Sequence, residues 1–283
     1  MRNSTRESSA QHSVNARIFR ALPASLSIGT RGSPLALLQA EHVRDRLAAH
    51  HGTDRDEAFL KVITTSGDRI QDKPLADFGG KGLFTKEIDE ALLRSDIALA
   101  VHSMKDLPTQ LPDGLCLAAV LPRADVRDAF LSPVAPSFAA LPKGAVVGTS
   151  SLRRAAQVKR ARPDLRVIDF RGNVQTRLRK LAEGVADATL LAKAGLDRLD
   201  LAEAATSVLS VEDMLPAVAQ GAIGIVTRTN DVETRAVLEP LNDAMTEVAV
   251  CCERAVLAEL DGACRTPIAG LAAIEDGAIR FRG

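Results

Sequence analysis

Hydrophobic residues in this chain gather into short apolar runs, which alternate with longer segments in which apolar positions recur every three to four residues. The short runs occupy residues 25–29, 58–64, 97–101, 115–121, 145–147, 165–170, 188–191 and 223–226. The helical period is clearest over residues 34–47, 85–92, 152–161, 174–181 and 246–260. Alternation of this kind predicts parallel sheets with helices on both faces.

Polar residues at the ends of these segments mark where elements begin. Ser33 and Pro34 are preferred types for an N-cap and a first helical position, and Thr85 is a candidate cap for the next helix. The polar stretch at 122–126 marks a crossing between two α/β halves, after which the alternation restarts. Residues 269–282 predict a β-hairpin.

Four of the apolar runs stop at a short polar turn that carries arginine or lysine. These turns read IGTRGSP (28–34), VHSMKD (101–106), VGTSSLRR (147–154) and DFRGNV (169–174). Free N–H groups at helix N-termini attract anions, and guanidinium groups add forked donors for carboxylate or phosphate. Because ligands of open α/β sheets bind beyond the carboxyl ends of strands, the four turns predict a cleft for a small molecule with several negative groups.

Composition limits the classes of partner. The 283 residues include 36 Lys+Arg and 36 Asp+Glu, so the formal net charge is zero, and bulk attraction to nucleic acid or to a membrane is not expected. The chain has no Trp, no Tyr and 8 Phe, which leaves few rings for stacking on single-stranded nucleic acid. No apolar run approaches the length of a bilayer span.

The first 25 residues are rich in Ser, Arg and Ala. We interpret residues 1–25 as a disordered tail, and an organellar presequence is the alternative. No secretory apolar segment precedes Ile28, so a cytoplasmic or similarly reducing compartment is expected.

The candidate cations of the second half follow strand ends, and they are Arg153, Arg154, Arg171 and Arg177. For any single arginine the competing interpretation is a solvated helix residue, but clustering after strand ends favours anion binding. In the first half, Asp106 follows a buried strand next to Lys105. It is either a carboxylate held beside the cleft for proton transfer and cation stabilisation, or a simple cap at a helix start.

Two further features have both a functional and an ordinary interpretation. Lys81 lies in the glycine loop at 79–82, which lacks the spacing of a phosphate-binding loop and is either a mobile lid or a plain loop. Cys264 follows an apolar helix and stands beside Arg265, which favours a lowered thiol pKa, although a lone loop cysteine usually has no role. The other three cysteines are interpreted as core residues, and no metal-binding spacing occurs.

Together, these motifs resemble the porphobilinogen deaminase (hydroxymethylbilane synthase) family. The resemblance runs from about residue 28 to 270. It is carried by TRGSPLAL (30–37), GGKGLF (79–84), VHSMKDLP (101–108), GTSSLRR (148–154), RGNVQTR (171–177), LPAVAQGA (215–222) and GAC (262–264).

The resemblance implies an α/β fold with two periplasmic-binding-protein-like (type II) domains plus a small α+β C-terminal domain. It places domain 1 at 26–122 and 222–240, domain 2 at 126–215, and the cofactor-bearing domain 3 at 244–283, after the tail at 1–25.

The resemblance also implies a monomeric, cytoplasmic transferase of porphyrin and heme biosynthesis. Such an enzyme joins porphobilinogen units head to tail, releases ammonia at each addition and yields the linear tetrapyrrole hydroxymethylbilane. Cys264 would hold a covalent dipyrromethane cofactor through a thioether. Asp106 would be the catalytic carboxylate, which steadies the cation left by loss of ammonia and handles pyrrole N–H protons.

The remaining site residues follow from the same resemblance. Residues expected to bind the cofactor are Arg31, Ser33, Lys105, Ser151, Arg153, Arg154, Arg171 and Arg177. Residues expected to bind the substrate are Arg198, Gln220, Lys81 and Phe84. No metal ligand is expected.

The chain departs from the family pattern in two places. Ala263 stands where the family often has glycine, which is a small change. The sequence also stops at Gly283, where the family usually continues with another strand and helices, so we expect domain 3 to be truncated, with an open strand edge. Two alternatives therefore stay open: a non-catalytic anion-binding module and an inactive truncated homologue.

Overall fold

The structure is a computed structural model that describes residues 22–23, 26–69, 82–260 and 266–283. Within these residues the strands form two five-stranded mixed sheets and one hairpin. The strands of the first sheet are β1 (Leu26–Thr30), β2 (Ala58–Val62), β3 (Leu99–Ser103), β4 (Leu115–Val120) and β10 (Ile223–Arg228). The strands of the second sheet are β5 (Asp128–Leu131), β6 (Val146–Gly148), β7 (Arg166–Ile168), β8 (Ala188–Ala192) and β9 (Ser207–Val208).

The two sheets share one topology. Their strand orders are β2-β1-β3-β10-β4 and β7-β6-β8-β5-β9, and in each the first three strands are parallel. The fourth position is taken by an antiparallel strand, β10 or β5, which is the strand that follows a chain crossing between the sheets. Each sheet thus receives one strand after the chain has crossed from the other sheet. This arrangement confirms the predicted fold class of two type II α/β units, which are followed by a helix and a hairpin.

Helices cover both faces of each sheet. Their bounds are α1 (Pro34–His51), α2 (Ser66–Arg69), α3 (Lys86–Leu93), α4 (Leu152–Ala161), α5 (Val174–Ala182), α6 (Lys193–Arg198), α7 (Val232–Leu238) and α8 (Ala244–Glu259). The C-terminal hairpin consists of β11 (Leu271–Glu275) and β12 (Ala278–Arg282).

Local sequence explains several of these bounds. The Ser33 hydroxyl accepts a hydrogen bond from the Ala36 N–H at the start of α1, as predicted, and Gly52 ends the helix with a φ of 66°. The bounds predicted for α4 are confirmed. Thr85 lies at the N-cap of α3, but its buried side chain makes no capping hydrogen bond.

The first sheet separates two apolar cores. One core lies between the sheet, α1 and α7, and it includes Leu47 and Val237. Leu22, which lies within the segment predicted as a tail, is 8% exposed, and its apolar side chain joins this core. The other core is closed by α3 and α8.

A buried carboxylate attaches α8 to the rest of the molecule. Glu253 is fully buried, and its carboxylate accepts hydrogen bonds from both terminal nitrogens of Arg123, at 2.6 and 3.0 Å. Its oxygens also accept the N–H groups of Ala219, at 2.6 Å, and of Ala272, at 2.8 Å. Because Arg123 and Ala219 lie on the two chain crossings, Glu253 ties the hairpin and α8 to the region between the sheets.

Candidate active site

Asp106 lies in a single 3-10 turn that follows β3 directly. The turn spans Met104–Asp106, and the Met104 N–H donates to the Ala222 carbonyl at 3.0 Å. Gly224 on β10 makes room for the turn, because a Cβ at that position would lie 2.0 Å from the Met104 sulfur. The turn therefore holds Asp106 at the carboxyl end of the strand, as the sequence predicted.

Asp106 shares a solvent-open pocket of about 60 Å³ with residues from the end of β1 and the start of α1. Arg31 and Ser33 line this pocket, together with Phe84 from the turn before α3. His102, on β3, lines it as well. These residues come from three segments that are far apart in sequence, and the fold brings them to one edge of the first sheet.

Arg31 is held by two neighbours. Its Nε donates to the Asp68 carboxylate at 3.1 Å, its Nη2 forms a further ion pair with Asp68, and its guanidinium carbon lies 4.2 Å from the Phe84 ring centroid. Burial raises the pKa of Asp68, but hydrogen bonds from Arg31 and Thr65 outweigh that effect and lower it overall. Sequence analysis missed Asp68, whose role depends on this ion pair.

The second sheet contributes a buried ion network around Asp128. Arg153 donates to Asp128 at 2.6 Å and Arg154 donates to it at 2.7 Å, and all three side chains are almost fully buried. The Gln220 amide adds a hydrogen bond to the same carboxylate at 2.9 Å. Burial alone would raise the pKa of Asp128, but the charges and hydrogen bonds of the two arginines hold it well below its usual range.

This network does not use every donor of its arginines. Arg153 also donates to the Leu215 carbonyl at 2.9 Å, and Arg154 donates to the Leu190 carbonyl at 2.8 Å. The Nε of Arg153 is buried and has no hydrogen-bond partner among the described residues. One carboxylate thus serves two guanidinium groups, and the local charge is net positive.

Lys105, in the turn after β3, is influenced electrostatically by this network. Burial lowers the pKa of Lys105 to about 8. The negative charges of Asp106 and Asp128 oppose this shift. The positive charges of Arg154 and Arg153 add to it, so the ammonium lies among like charges.

Arg177 on α5 faces the same region. Burial lowers its pKa to about 10, and the positive charge of Arg154 contributes to the shift. The negative charges of Asp169 and Asp106 act in the opposite direction. The Arg177 Nε donates to the Gly172 carbonyl at 3.0 Å.

Three more of the predicted site residues can be placed in the structure. Ser151 is the N-cap of α4, and its hydroxyl accepts the Arg154 N–H at 3.4 Å. Arg171 follows β7, and its charge acts on Arg177. Arg198 on α6 donates to the Gly221 carbonyl at 2.7 Å. The predictions for Lys81 and Cys264 fall outside the described residues.

Sequence reasoning missed two more buried groups of the site. Asp128 opens the apolar strand β5, and a lone carboxylate at such a position is a weak signal for an internal counter-ion. His102 is 5% exposed in the pocket wall, and burial lowers its pKa to about 4, with a contribution from the charge of Arg31. Its imidazole is therefore neutral at physiological pH.

No described helix combines the length and the apolar character that a membrane crossing needs. The described residues also contain no cluster of three or more His, Cys, Asp or Glu side chains suited to a metal ion.

Comparison with known proteins gives concordant matches. The family model "Porphobilinogen deaminase, dipyromethane cofactor binding domain" matches residues 26–236, and "Porphobilinogen deaminase, C-terminal domain" matches residues 248–283. The chloroplastic porphobilinogen deaminase of Pisum sativum is 59% identical over 92% of this chain and 72% of its own length. The porphobilinogen deaminase of Nitrobacter hamburgensis is 58% identical over 91% of this chain and 81% of its own length.

A solved structure with a similar chain path is immunogenic lipoprotein A from Vibrio vulnificus. It is 13% identical, with a TM-score of 0.48, over 81% of this chain and 99% of that one.

Proposed function

This chain belongs to the porphobilinogen deaminase family, and from that premise we infer how its own residues carry out the family's reaction. The protein is a transferase that joins porphobilinogen units head to tail with loss of ammonia, and it yields hydroxymethylbilane. It works on a dipyrromethane cofactor. The observation that carries our assignment of roles is one carboxylate, Asp106, set among the cations of both sheets.

The residues of the cleft fit a dipyrromethane group. Each pyrrole of that group carries acetate and propionate side chains, so it presents several carboxylates. The unpartnered Nε of Arg153 and the lowered pKa values of Lys105 and Arg177 indicate a site with more positive charge than its own residues neutralise. When bound, the cofactor supplies the pyrrole carbon from which the chain grows.

We propose that residues on both sheets bind the carboxylates of the cofactor and the growing chain. Those on the first sheet are Arg31, Ser33 and Lys105, and those on the second are Ser151, Arg153, Arg154, Arg171 and Arg177. Arg153 and Arg154 are largely occupied by Asp128, so they act as a fixed positive field with few free donors. We propose that the substrate contacts Arg198, Gln220, Phe84 and Lys81.

Asp106 is the group that we assign to the chemistry. When porphobilinogen loses ammonia, the positive charge left on the substrate needs a fixed carboxylate nearby. Asp106 lines the pocket, and we propose it for this role. The same carboxylate can take up and release the pyrrole N–H proton.

An Asp106→Asn variant tests this assignment. The amide keeps the shape of the side chain but removes its charge, so we expect kcat to fall about 100-fold or more, which is the size of effect typical of general acid–base groups. Ammonia release should be measured per molecule that carries the cofactor, with the modified fraction taken from intact-protein mass spectrometry.

Asp113→Asn is the matched control, because Asp113 is exposed and only seven residues further along the chain. It should retain wild-type turnover. If Asp106→Asn released ammonia within twofold of the wild-type rate, another group would have to provide the charge.

The lowered pKa of Lys105 predicts that cofactor acquisition depends on pH. Its lowered pKa means that the ammonium is present below about pH 8 and is lost as the pH rises through that value. We expect the rate at which cofactor-free protein gains mass with porphobilinogen to fall about tenfold across this range, since a neutral amine binds carboxylate less well. Arginine stays charged, so Lys105→Arg should abolish the inflection.

The control for this experiment is Lys143→Arg, because Lys143 is exposed. It should keep the wild-type profile, which also accounts for any titration of porphobilinogen itself. An unchanged inflection in Lys105→Arg would assign the pH dependence to a different group.

We also propose the division of the chain into three units. Domain 1 comprises 26–122 and 222–240, domain 2 comprises 126–215, and domain 3 comprises 244–283. Supporting this division, β10 completes the first sheet after the chain has built the second. We further propose a monomer in a cytoplasmic, reducing compartment, which would keep the Cys264 thiol free for the cofactor; sedimentation velocity tests the monomer.

A further inference from the structure

Arg254 on α8 reaches the backbone that immediately follows Asp106. Its Nη1 donates to the Leu107 carbonyl at 3.4 Å. Its Nη2 donates to the Pro108 carbonyl at 2.6 Å and to the Thr109 carbonyl at 3.1 Å. One guanidinium therefore holds three successive carbonyl groups of the loop that leaves the active-site turn.

The loop and the turn share a peptide, so holding one orients the other. The Leu107 N–H closes the turn by donating to the Met104 carbonyl at 3.2 Å, while the Leu107 carbonyl faces Arg254. On its other side the turn is attached to Ala222 through the Met104 N–H. Asp106 thus lies between two backbone anchors, and Arg254 provides the second.

This contact is specific for arginine. A planar guanidinium presents several N–H groups in a fixed fork, whereas a lysine ammonium is a point charge on a flexible stem. Burial lowers the pKa of Arg254, but an arginine remains protonated at any physiological pH. The fork is therefore a permanent part of the fold.

The attachment of α8 does not depend on Arg254. The neighbouring Glu253 binds Arg123, the Ala219 N–H and the Ala272 N–H by itself. Val250 also lies fully buried in the core beneath α8. Loss of the Arg254 side chain should therefore free the loop while the helix stays in place.

We propose that Arg254 is a positioning residue, which acts on the reaction through Asp106 by clamping residues 107–109. This inference rests on the role proposed above for Asp106. It also gives α8 a second task, since Cys264 follows this helix by five residues in the sequence. One helix then joins the segment that carries the thiol to the loop that orients the acid.

The test is a double-mutant cycle of Arg254→Met with Asp106→Asn, measured as ammonia release per cofactor-bearing molecule. We expect Arg254→Met alone to lower kcat by about 10- to 100-fold with KM within twofold, as for a misplaced catalytic group. In the Asp106→Asn background it should have no further effect, because its influence runs through that carboxylate.

Arg282→Met is the matched control. Arg282 pairs with Glu212 at an exposed site on the hairpin and makes no contact with the 107–109 loop, so its loss should leave kcat unchanged. If Arg254→Met does not yield folded protein, Arg254→Lys takes its place in the cycle, with an expected fall in kcat of about threefold or more.

The outcomes separate the two proposals. If Arg254→Met lowers kcat equally in both backgrounds, or leaves kcat unchanged, Arg254 does not act through Asp106 and this inference is overturned. If Asp106→Asn alone retains wild-type turnover, the proposed role of Asp106 fails first.

Discussion

A Cys264→Ser variant is expected to gain no mass from porphobilinogen and to lose turnover completely. The cofactor is the primer on which the chain grows, so an enzyme that cannot attach it has no site at which to begin. Serine has nearly the shape of cysteine, but its hydroxyl is far less acidic and less nucleophilic than a thiol. Intact-protein mass spectrometry before and after addition of porphobilinogen, together with an ammonia assay, measures both losses.

The other thiols are poor candidates for this attachment. Burial raises the pKa of Cys116 in β4. Partial desolvation also raises the pKa of Cys251 on α8, although its side chain is exposed, and the charge of Glu247 adds to the shift. A raised pKa means less thiolate and hence lower reactivity. Cys264 stands next to Arg265 in the sequence, and a neighbouring cation has the opposite effect.

Cys251→Ser is the control, because Cys251 is an exposed free thiol thirteen residues before Cys264. It should acquire the cofactor and turn over like the wild type. Mass gain by Cys264→Ser, or its loss in Cys251→Ser, would place the attachment on a different sulfur.

An Asp128→Asn variant is expected to lose about 3–5 kcal/mol of unfolding free energy, since it leaves buried guanidinium groups without their counter-charge. Asp128 is the only carboxylate among the described residues that pairs with Arg153 and Arg154, and all three are nearly inaccessible to solvent. For a chain of this size such a loss lowers Tm by roughly 10 °C. Urea unfolding and thermal melting measure the two quantities.

The pH dependence of this difference follows from the depressed pKa of Asp128. A carboxyl group with a lowered folded-state pKa contributes stability above its unfolded pKa of about 3.9, and that contribution is lost as the pH falls towards the folded value. The gap between wild type and Asp128→Asn should therefore be constant from about pH 5 to pH 8 and should narrow below about pH 4.

Asp125→Asn provides the comparison, because Asp125 lies only three residues before Asp128 in the chain. Asp125 pairs with Arg127 at 2.6 Å, but the arginine is 46% exposed, and exposed pairs contribute about 1 kcal/mol or less. If the two variants lost the same unfolding free energy, the buried network would contribute no more to stability than a surface ion pair.

The sequence predicted best those elements whose stabilising interactions lie within one short segment of the chain. Helix α4 was predicted with its observed bounds because the Ser151 cap and the apolar stripe both lie within the segment itself. Strand β5 was missed because its four residues are too short to show a period, and its partners, β8 and β9, are more than fifty residues away. Helix α7 was missed for lack of a clear apolar stripe between polar residues.

The same distinction applies to the candidate site. The motifs around Arg31, Asp106 and Arg154 were visible because each is a continuous run at a strand end. Their mutual arrangement was not visible. Arg153 and Arg154 are predicted to bind cofactor carboxylates, but the sequence did not indicate that both also pair with Asp128, which lies about 25 residues earlier in the chain.

By itself, the sequence determined the family, the alternation of strands and helices, and the chemistry available at each turn, because all of these reside in contiguous residues. Only the tertiary structure decided which charges neutralise one another and which remain for a polyanion. Two chain crossings and a sheet completed by β10 bring Lys105 within the electrostatic influence of Arg154 and bring Arg254 against the loop after Asp106. Electrostatic energy depends on distance and burial, and the order of residues along a chain specifies neither.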